Sequence, residues 1–362
     1  MGLGGFEPPT SPLSGVRSNQ LSYRPDYQKS HSEAAYYTQA GCFYNRIRWD
    51  HFMVDHMTIA QKKSLESLIQ GRAIESSSDL LALLKALNLS YEFTPDGAEV
   101  FLSERVKLVS TDLIRAALPS EIAYEHHWVI DSTNKYLMAQ SHHNETRVCS
   151  AEMQISGRGR RGRSWLSPFG KNIYLSWLST IERPMSELAG LSLAVGLRSV
   201  LLLRRLGCLD IGLKWPNDLM TIEGKIGGIL IELEAVTRQR TRVCIGLGLN
   251  VLSAPDKEHI GQAASCLANY GTWDRTELII ELVNELKTLV ENFDPNQMVD
   301  IQKHWSDVDI YKGRVVSVIQ NSEATEGVNE GIDLLGQLVL NCGEGRRYFN
   351  AGEVTMRVPE SL

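Results

Sequence analysis

The sequence predicts a mixed α/β (α+β) protein: one main domain of alternating strands and helices, a small helical module before it and a small all-β module after it. Three observations predict this. Between residues 121 and 294, short apolar strand-like runs alternate with amphipathic helical stretches, the pattern of a sheet covered by helices. Before residue 104, two leucine-rich helical patterns precede a single hairpin pattern. After Trp305 the helical period stops, and short β-branched runs separated by Gly and Asn take over, as in a small antiparallel barrel.

The totals narrow the class of protein. A chain of 362 residues suggests two or three domains, and 43% hydrophobic with 22% charged residues is ordinary globular composition. A formal net charge of −6 argues against a general nucleic-acid binder. The six cysteines (Cys42, Cys149, Cys208, Cys244, Cys266 and Cys342) are scattered, with no C-x-x-C pair. That argues against a zinc site and a disulfide framework, and it fits a reducing, cytosolic (cytoplasmic) compartment. The longest apolar runs, near 200–203 and 226–233, are shorter than a bilayer span, so no membrane contact is expected.

Residues 1–52 mix Gly, Pro, Ser, Tyr and Arg without any period. Gly5-Phe6-Glu7-Pro8-Pro9-Thr10 and the stretch Ser14 to Leu21 resemble peptides read through a transfer-RNA gene. The segment is expected to be disordered or a spurious extension of the reading frame, with Met53 or Met57 as the start. From Thr58 the chain becomes periodic. Leu65, Leu68 and Ile69 share one helical face, and Leu80, Leu81, Leu83, Leu84 and Leu87 mark a second helix. Tyr91–Thr94, a turn at Pro95-Asp96-Gly97, and Glu99–Leu102 form a hairpin. Residues 58–104 thus predict a winged helix-turn-helix-like remnant. It is one helix short of a DNA-reading unit and poor in basic residues, so a non-DNA-binding appendage is the favoured expectation.

Ser110 caps a short helix that ends before Pro119, and the main domain opens near 121. Its expected elements follow in order. A strand, His127–Ile130, leads into Asp131-Ser132-Thr133-Asn134, which caps a helix through Met138; free N–H groups at a helix start suit polar ligands. Val148–Gln154 is a strand, and Asn172–Trp177 is another. A long buried helix is expected from Met185 to Leu206. Gly212–Trp215 is a strand ending at Pro216-Asn217-Asp218, so Lys214, Asn217 and Asp218 stand at a strand end, where α/β sheets bind ligands. Lys225 heads the apolar strand 226–233. Arg242–Ile245 runs into Gly246-Leu247-Gly248-Leu249-Asn250, whose glycines permit close backbone approach. Residues 275–294 form an amphipathic helix. Five short strands at 314–319, 326–328, 331–333, 338–340 and 355–358 complete the chain.

Between strands 148–154 and 172–177 lies Gly157-Arg158-Gly159-Arg160-Arg161-Gly162-Arg163, four arginines on a backbone with three glycines. Glycines turn main-chain N–H groups toward a ligand, and guanidinium forks suit phosphate and carboxylate. Taken alone, the heptapeptide fits an anion-binding active-site loop and an RGG-type segment touching nucleic acid equally well. Its place between two strands of a folded domain favours the active-site loop.

Together these landmarks resemble the biotin–protein ligases. The resemblance is carried by Asp131–Asn134, Gln154, Gly157–Trp165, Ser167-Pro168-Phe169-Gly170, Lys214–Asp218, Lys225 with Gly227-Gly228-Ile229-Leu230, and Gly246–Asn250. It spans about 121–358, with a weaker echo from 58. It implies a catalytic domain similar to class II aminoacyl-tRNA synthetases over 121–308 and an SH3-like barrel over 311–360. It also implies ATP and Mg²⁺ as cofactors, with biotin as substrate. Biotin and ATP would form biotinyl-5′-adenylate, and the biotin would pass to a lysine of a biotin carboxyl carrier protein belonging to a biotin-dependent carboxylase. By the same resemblance, Ser132, Thr133, Asn134, Gln154, Gly157, Arg158, Gly159, Arg160, Lys225 and Gly228 would hold biotin. Arg160, Arg163, Trp165, Asn217, Asp218 and Asn250 would meet the nucleotide, Asp218 through Mg²⁺. Lys225, Arg158 and Arg160 would be catalytic. A homodimer through the central sheet is also implied. Two alternatives remain in play: a lipoate–protein ligase, and a bifunctional ligase that also represses the biotin operon. The reduced N-terminal segment makes operator DNA a doubtful partner.

Overall fold

A computed structural model of the protein describes residues 57–140, 145–320, 323–351 and 354–357. The expectations for 1–52 and for the chain beyond 357 lie outside the described residues. Thr58 starts α1 (Ile59–Ile69) with a reciprocal capping box: its hydroxyl accepts from Gln61 N–H, and its own N–H donates to the Gln61 side chain. β1 (Ile74–Glu75), α2 (Ser78–Ala86, capped by Ser77), β2 (Tyr91–Phe93) and β3 (Glu99–Leu102) follow. The strands pair in the order β1-β3-β2. The helices and hairpin match the sequence expectation. β1 adds a third strand, too short to show an alternation. The leucines of both helices share a small core with Val100, Val106 and Phe169, and Phe169 is only 1% exposed.

α3 (Thr111–Ala117) leads into the main domain. There β4 (Ile122–Ile130), α4 (Thr133–Met138), β5 (Thr146–Gln154), β6 (Ile173–Ile181), α5 (Leu191–Arg205), β7 (Gly212–Lys214), β8 (Asp218–Thr221), β9 (Gly224–Ala235) and β10 (Thr241–Leu249) follow in turn. Seven strands form one sheet in the order β4-β5-β6-β10-β9-β8-β7. β4 and β5 are parallel, and the remaining pairs are antiparallel. Period-two alternation sorts the residues of the central strands to two faces. Leu175, Trp177, Ile245 and Leu247 join a large core with residues of α5 and α7 (Arg275–Glu291). Cys149, Leu178 and Cys244 face the other way and pack with Leu137 of α4. α6 (Lys257–Ile260) and α8 (Met298–Val308) complete the helices of this domain.

The last module is a five-stranded antiparallel sheet: β11 (Val315–Gln320), β12 (Glu323–Ile332), β13 (Leu338–Asn341), β14 (Arg346–Phe349) and β15 (Val354–Arg357). Its order is β14-β13-β12-β11-β15.

Several expectations need correction. The helix expected over 185–206 is a 3₁₀ turn (Met185–Leu188) followed by α5. At the break, Gly190 meets α8 so closely that a Cβ would lie 2.3 Å from the Met298 sulfur. The segment Met185–Arg205 spans 21 residues with a mean hydropathy of 1.5, long and apolar enough to cross a membrane. Its most apolar window is 67% buried, as a core helix beneath the sheet would be. The strand expected over 242–245 continues through Gly246–Leu249. The strands expected at 326–328 and 331–333 are one strand, β12, with a register shift between Asn329 and Gly331. β14 escapes sequence detection because Arg346, Arg347 and Tyr348 are all exposed. α8, unassigned from the sequence, is built on Ile301, Trp305 and Val308.

Candidate active site

The site lies on the α4-facing side of the sheet, in a cleft of about 940 Å³. That volume is in the usual range for a site enclosing a small organic ligand. The glycine-rich end of β10 explains its floor. Alternation sends Leu247 and Leu249 into the core, at 2% and 0% exposure, and turns Gly246 and Gly248 toward the cleft. Gly228 pairs with Gly248 and Leu230 with Gly246 across β9 and β10. The two strands thus form a trough with almost no side chains. The Trp165 ring fills one end: a Cβ on Gly248 would come within 2.6 Å of the ring, and one on Gly228 within 3.4 Å. Asn134 reaches over the other end, where a Cβ on Gly246 would sit 2.3 Å from its Oδ1. The Trp165 Nε1–H is buried and has no hydrogen-bond partner among the described residues.

Beyond Asn134 lies a polar corner. Ser132 caps α4, and Ser132, Thr133 and Asn134 are all buried. The Thr133 N–H donates to Gln154 Oε1 at 2.9 Å, and Gln154 Nε2 donates to Ser167 Oγ at 3.3 Å. Ser176 Oγ lies 2.7 Å from Thr133 Oγ1 and 2.6 Å from Asn134 Oδ1. Asn134 Nδ2 donates to Glu232 Oε2 at 2.8 Å. Ser176 and Glu232 carry no signal in the sequence, because one is a small residue in an apolar strand and the other looks like an ordinary strand-edge charge.

The arginine loop closes over the trough. The Trp165 N–H donates to Gly157 O and the Gly159 N–H to Arg163 O, making a tight knot. The knot needs Gly157: a Cβ there would approach Trp165 O to 2.6 Å and Gln154 Nε2 to 3.0 Å. Arg161 and Gly162 turn the loop through the left-handed region, at φ 58° and 71°. Arg160 donates to Asn217 Oδ1 at 2.9 Å and to the carbonyl of Ala351 in the C-terminal module. Burial lowers the Arg160 pKa, and the nearby Asp218 carboxylate opposes that shift. Arg158 and Arg163 line the same cleft.

The mouth of β9 supplies the opposite wall. Lys225 Nζ sits 2.6 Å from Asp218 Oδ1 and 5.4 Å from the Trp165 ring centroid. Its backbone pairs with the segment beyond α6: the Lys225 N–H donates to Ala263 O, and the Ser265 N–H donates to Lys225 O. Asn250 ties this seam together, donating to Ser265 O at 3.2 Å and more weakly to Lys225 O at 3.4 Å. Its amide hydrogens are therefore directed to the backbone. Asn217 likewise donates to Ile229 O while it accepts from Arg160. Lys214, which the sequence placed at a ligand-binding strand end but gave no specific contact, lies in the cleft. Burial lowers its pKa, with Lys225, Arg163 and Arg357 reinforcing the shift and Asp218 opposing it. Tyr311 and Arg357, from outside the main sheet, were also missed as lining residues.

The electrostatic balance is lopsided. Eight basic side chains (Arg158, Arg160, Arg161, Arg163, Lys214, Lys225, Lys257 and Arg357) line the cleft against one carboxylate, Asp218. The whole chain carries −6, so this concentration belongs to the site and not to the composition. Such a cleft neutralises a ligand with several negative charges, next to a pocket able to hydrogen-bond a neutral polar group. Among the described residues, no cluster of three or more His, Cys, Asp or Glu side chains could hold a metal by itself.

Comparison with known proteins gives a consistent result. Residues 128–250 match the Biotin/lipoate A/B protein ligase family, and residues 312–357 match the Biotin protein ligase C terminal domain. The bifunctional ligase/repressor BirA of Salmonella typhimurium is 35% identical over 274 residues, covering 74% of this chain and 84% of that protein. The biotin–[acetyl-CoA-carboxylase] ligase of Mycobacterium tuberculosis is 32% identical over 235 residues, covering 62% of this chain and 85% of that protein. The biotin protein ligase of Aquifex aeolicus, solved with biotin and ATP, is 25% identical with a TM-score of 0.53. That alignment covers 66% of this chain and all of that one.

Proposed function

The chain belongs to the biotin protein ligase family, and from that premise we propose how its cleft joins biotin to a carrier protein. It is an ATP-dependent biotin–[acetyl-CoA-carboxylase] ligase. In the first step a biotin carboxylate oxygen attacks the α-phosphorus of ATP. A new P–O bond forms, the bond to the β-phosphate oxygen breaks, and pyrophosphate leaves. In the second step a lysine amine of the biotin carboxyl carrier protein attacks the activated carbonyl. An amide forms, AMP leaves with the bonding pair, and the amine gives up a proton.

The observation that carries this assignment is the charge balance of the cleft, eight cations to one carboxylate beside a neutral polar corner. Bringing a carboxylate onto a polyphosphate gathers negative charge, so fixed cationic donors are the main catalytic resource. Ser132, Thr133, Asn134 and Gln154 receive the ureido head of biotin, and Gly157, Gly159 and Gly228 let backbone and ring approach closely. Lys225 and Arg158 flank the carboxylate, and Arg160 closes over the α-phosphate. Arg163, Trp165 and Asn217 serve the nucleotide side. Asn250 acts there indirectly, by bracing the Lys225 backbone. Magnesium binds through one or two carboxylates plus substrate phosphates, and Asp218 is the one carboxylate of the wall, so Mg²⁺ fits as a companion of ATP. The test is incubation with ATP, Mg²⁺, an acceptor domain and either biotin or lipoate, read by mass. A biotin mass shift alone is expected. A shift with lipoate and none with biotin would overturn the assignment.

Two further points belong to the proposal. Residues 57–104 act as an appendage and not as an operator reader. They carry four basic against seven acidic side chains, whereas duplex binding needs a positive surface. Retarded biotin-operator DNA at low salt, in the presence of adenylate, would refute this. The protein also forms a homodimer through the free edge of β9. β8 covers that edge only as far as Gly228, and no described strand pairs with its outer edge over Ile231–Ala235. A single monomer mass in sedimentation, with and without adenylate, would refute it. The five described cysteines are free, four of them buried, which supports a reducing cytosolic setting.

A further inference from the structure

Glu232 lies two positions beyond Leu230 and four beyond Gly228, on the same face of β9, so the strand that floors the cleft also carries this carboxylate. Its Oε2 accepts from Asn134 Nδ2 at 2.8 Å. The same Nδ2 points toward Leu230 O, a second acceptor, at 3.4 Å. An ionised carboxylate only accepts hydrogen bonds. The Asn134 amide therefore has one allowed orientation, with its nitrogen toward β9 and its Oδ1 toward Ser176.

That choice propagates. Ser176 is fully buried and has one hydroxyl proton, and Asn134 Oδ1, 2.6 Å away, needs it. The 2.7 Å contact between Ser176 and Thr133 is then made by the Thr133 hydroxyl donating to Ser176, in place of its alternative and longer 3.1 Å bond to Gln154 Oε1. Gln154 Oε1 keeps the Thr133 N–H, which leaves Gln154 Nε2 directed at Ser167. We propose that Glu232 is a positioning residue for the first substrate. By fixing the donor and acceptor sense of the chain Asn134–Ser176–Thr133–Gln154, it leaves hydroxyl and amide lone pairs facing a ligand head that carries N–H donors, as a cyclic urea does. Gly246 is part of the device, because a side chain there would occupy the place of Asn134 Oδ1.

This inference rests on the biotin-ligase assignment above. The test uses the full chain with Glu232→Lys, which replaces the acceptor by a donor, Glu232→Leu, which removes it, and Glu232→Gln, whose amide oxygen can still accept. Biotin affinity is measured by calorimetry, and biotin KM, ATP KM and kcat by pyrophosphate release. Loss of a charged hydrogen bond predicts that the Lys and Leu variants weaken biotin about 10-fold or more while ATP KM stays within about 2-fold, and that Gln restores most of the affinity. Unchanged biotin affinity in the Lys and Leu variants overturns the inference. So does a parallel rise in ATP KM, which would mark a general structural defect, and so does a Gln variant as weak as the Lys variant. A parent protein that forms no biotinyl-adenylate overturns the function itself, which separates the two failures.

Discussion

Gly246→Ala tests the architecture of the cleft floor. Gly246 lies within a strand and has no left-handed φ, so alanine suits its backbone. The obstacle is Asn134, whose Oδ1 would stand 2.3 Å and Cγ 2.9 Å from the new methyl. The amide must swing away, which breaks its bonds to Glu232 and Ser176. One bond involves a carboxylate and is worth about 1.5–3 kcal/mol. The other is neutral and worth about 0.5–1.5 kcal/mol, so the penalty is about 2–4.5 kcal/mol in total. The assay is a double-mutant cycle of parent, Gly246→Ala, Asn134→Ala and the double variant, followed by urea denaturation and biotin calorimetry. With Asn134 already cut back, the three atoms nearest to the new methyl are gone. The second substitution should then be neutral, or stabilising by about 0.4–1 kcal/mol because alanine restricts the unfolded chain. An equal penalty from Gly246→Ala in both backgrounds would refute the reasoning, since the clash would then lie elsewhere.

Three other outcomes follow from the cleft. Lys225→Ala removes the cation facing Asp218 and should slow adenylate formation by about 100-fold or more, with an unchanged circular dichroism spectrum; near-parent pyrophosphate release would rule out its role. Arg160→Ala cuts the tie from the loop to Asn217 and Ala351, so adenylate should escape and label lysines of a bystander protein; retention as tight as in the parent would count against a lid. Lys214 has a pKa lowered by burial, and the phosphates of ATP should raise it again, so ATP binding takes up a proton between that lowered pKa and the ordinary lysine value of about 10.4. ATP affinity should accordingly fall as pH rises through this window, whereas fold stability gains, because the unfolded lysine holds its proton longer. Identical ATP-binding enthalpies at alkaline pH in two buffers of different ionisation enthalpy would contradict this.

Many of the residues that line the cleft were legible in the sequence, and the buried groups that hydrogen-bond to them were not. Arg158, Arg160, Lys225, Asn217 and the Asp131–Asn134 run stand out because charge and small polar groups at strand ends interrupt an apolar pattern. Ser176 and Glu232 interrupt nothing, since a serine in a strand and a glutamate near its end satisfy ordinary alternation. Their meaning arises only when β6, β10 and β9 lie side by side and bring residues 134, 176 and 232 together. Gly246 and Gly248 were seen as places of close approach. That they form one floor required the period-two sense of β10, hidden because a Gly-Leu-Gly-Leu run looks like a loop. Elements were missed for similar reasons: β14 is mostly exposed, and the helix expected over 185–206 opens as a 3₁₀ turn and becomes α-helical only after Gly190, against which Met298 packs.

The N-terminal module makes the same point at the scale of a domain. Its composition suggests a detachable appendage, and its two helices and short sheet are a thin core for about fifty residues. That core is completed by Phe169, which follows the arginine loop in the chain. Gly170 next to it is held at φ 69°, where a Cβ would lie 2.8 Å from a Val106 methyl. A second anchor is buried below: Glu152 on β5 accepts from the Val109 N–H and pairs with Arg275 at 2.6 Å, and Arg275 also donates to the Lys107 carbonyl. One partner of this ion pair cannot be removed cheaply, because the other would remain buried and uncompensated. The junction therefore grips both ends of the segment that carries the arginine loop, Glu152 just before it and Phe169 just after. The module therefore has a structural role that does not depend on DNA reading, since it fixes the two ends of the segment that carries the arginine loop.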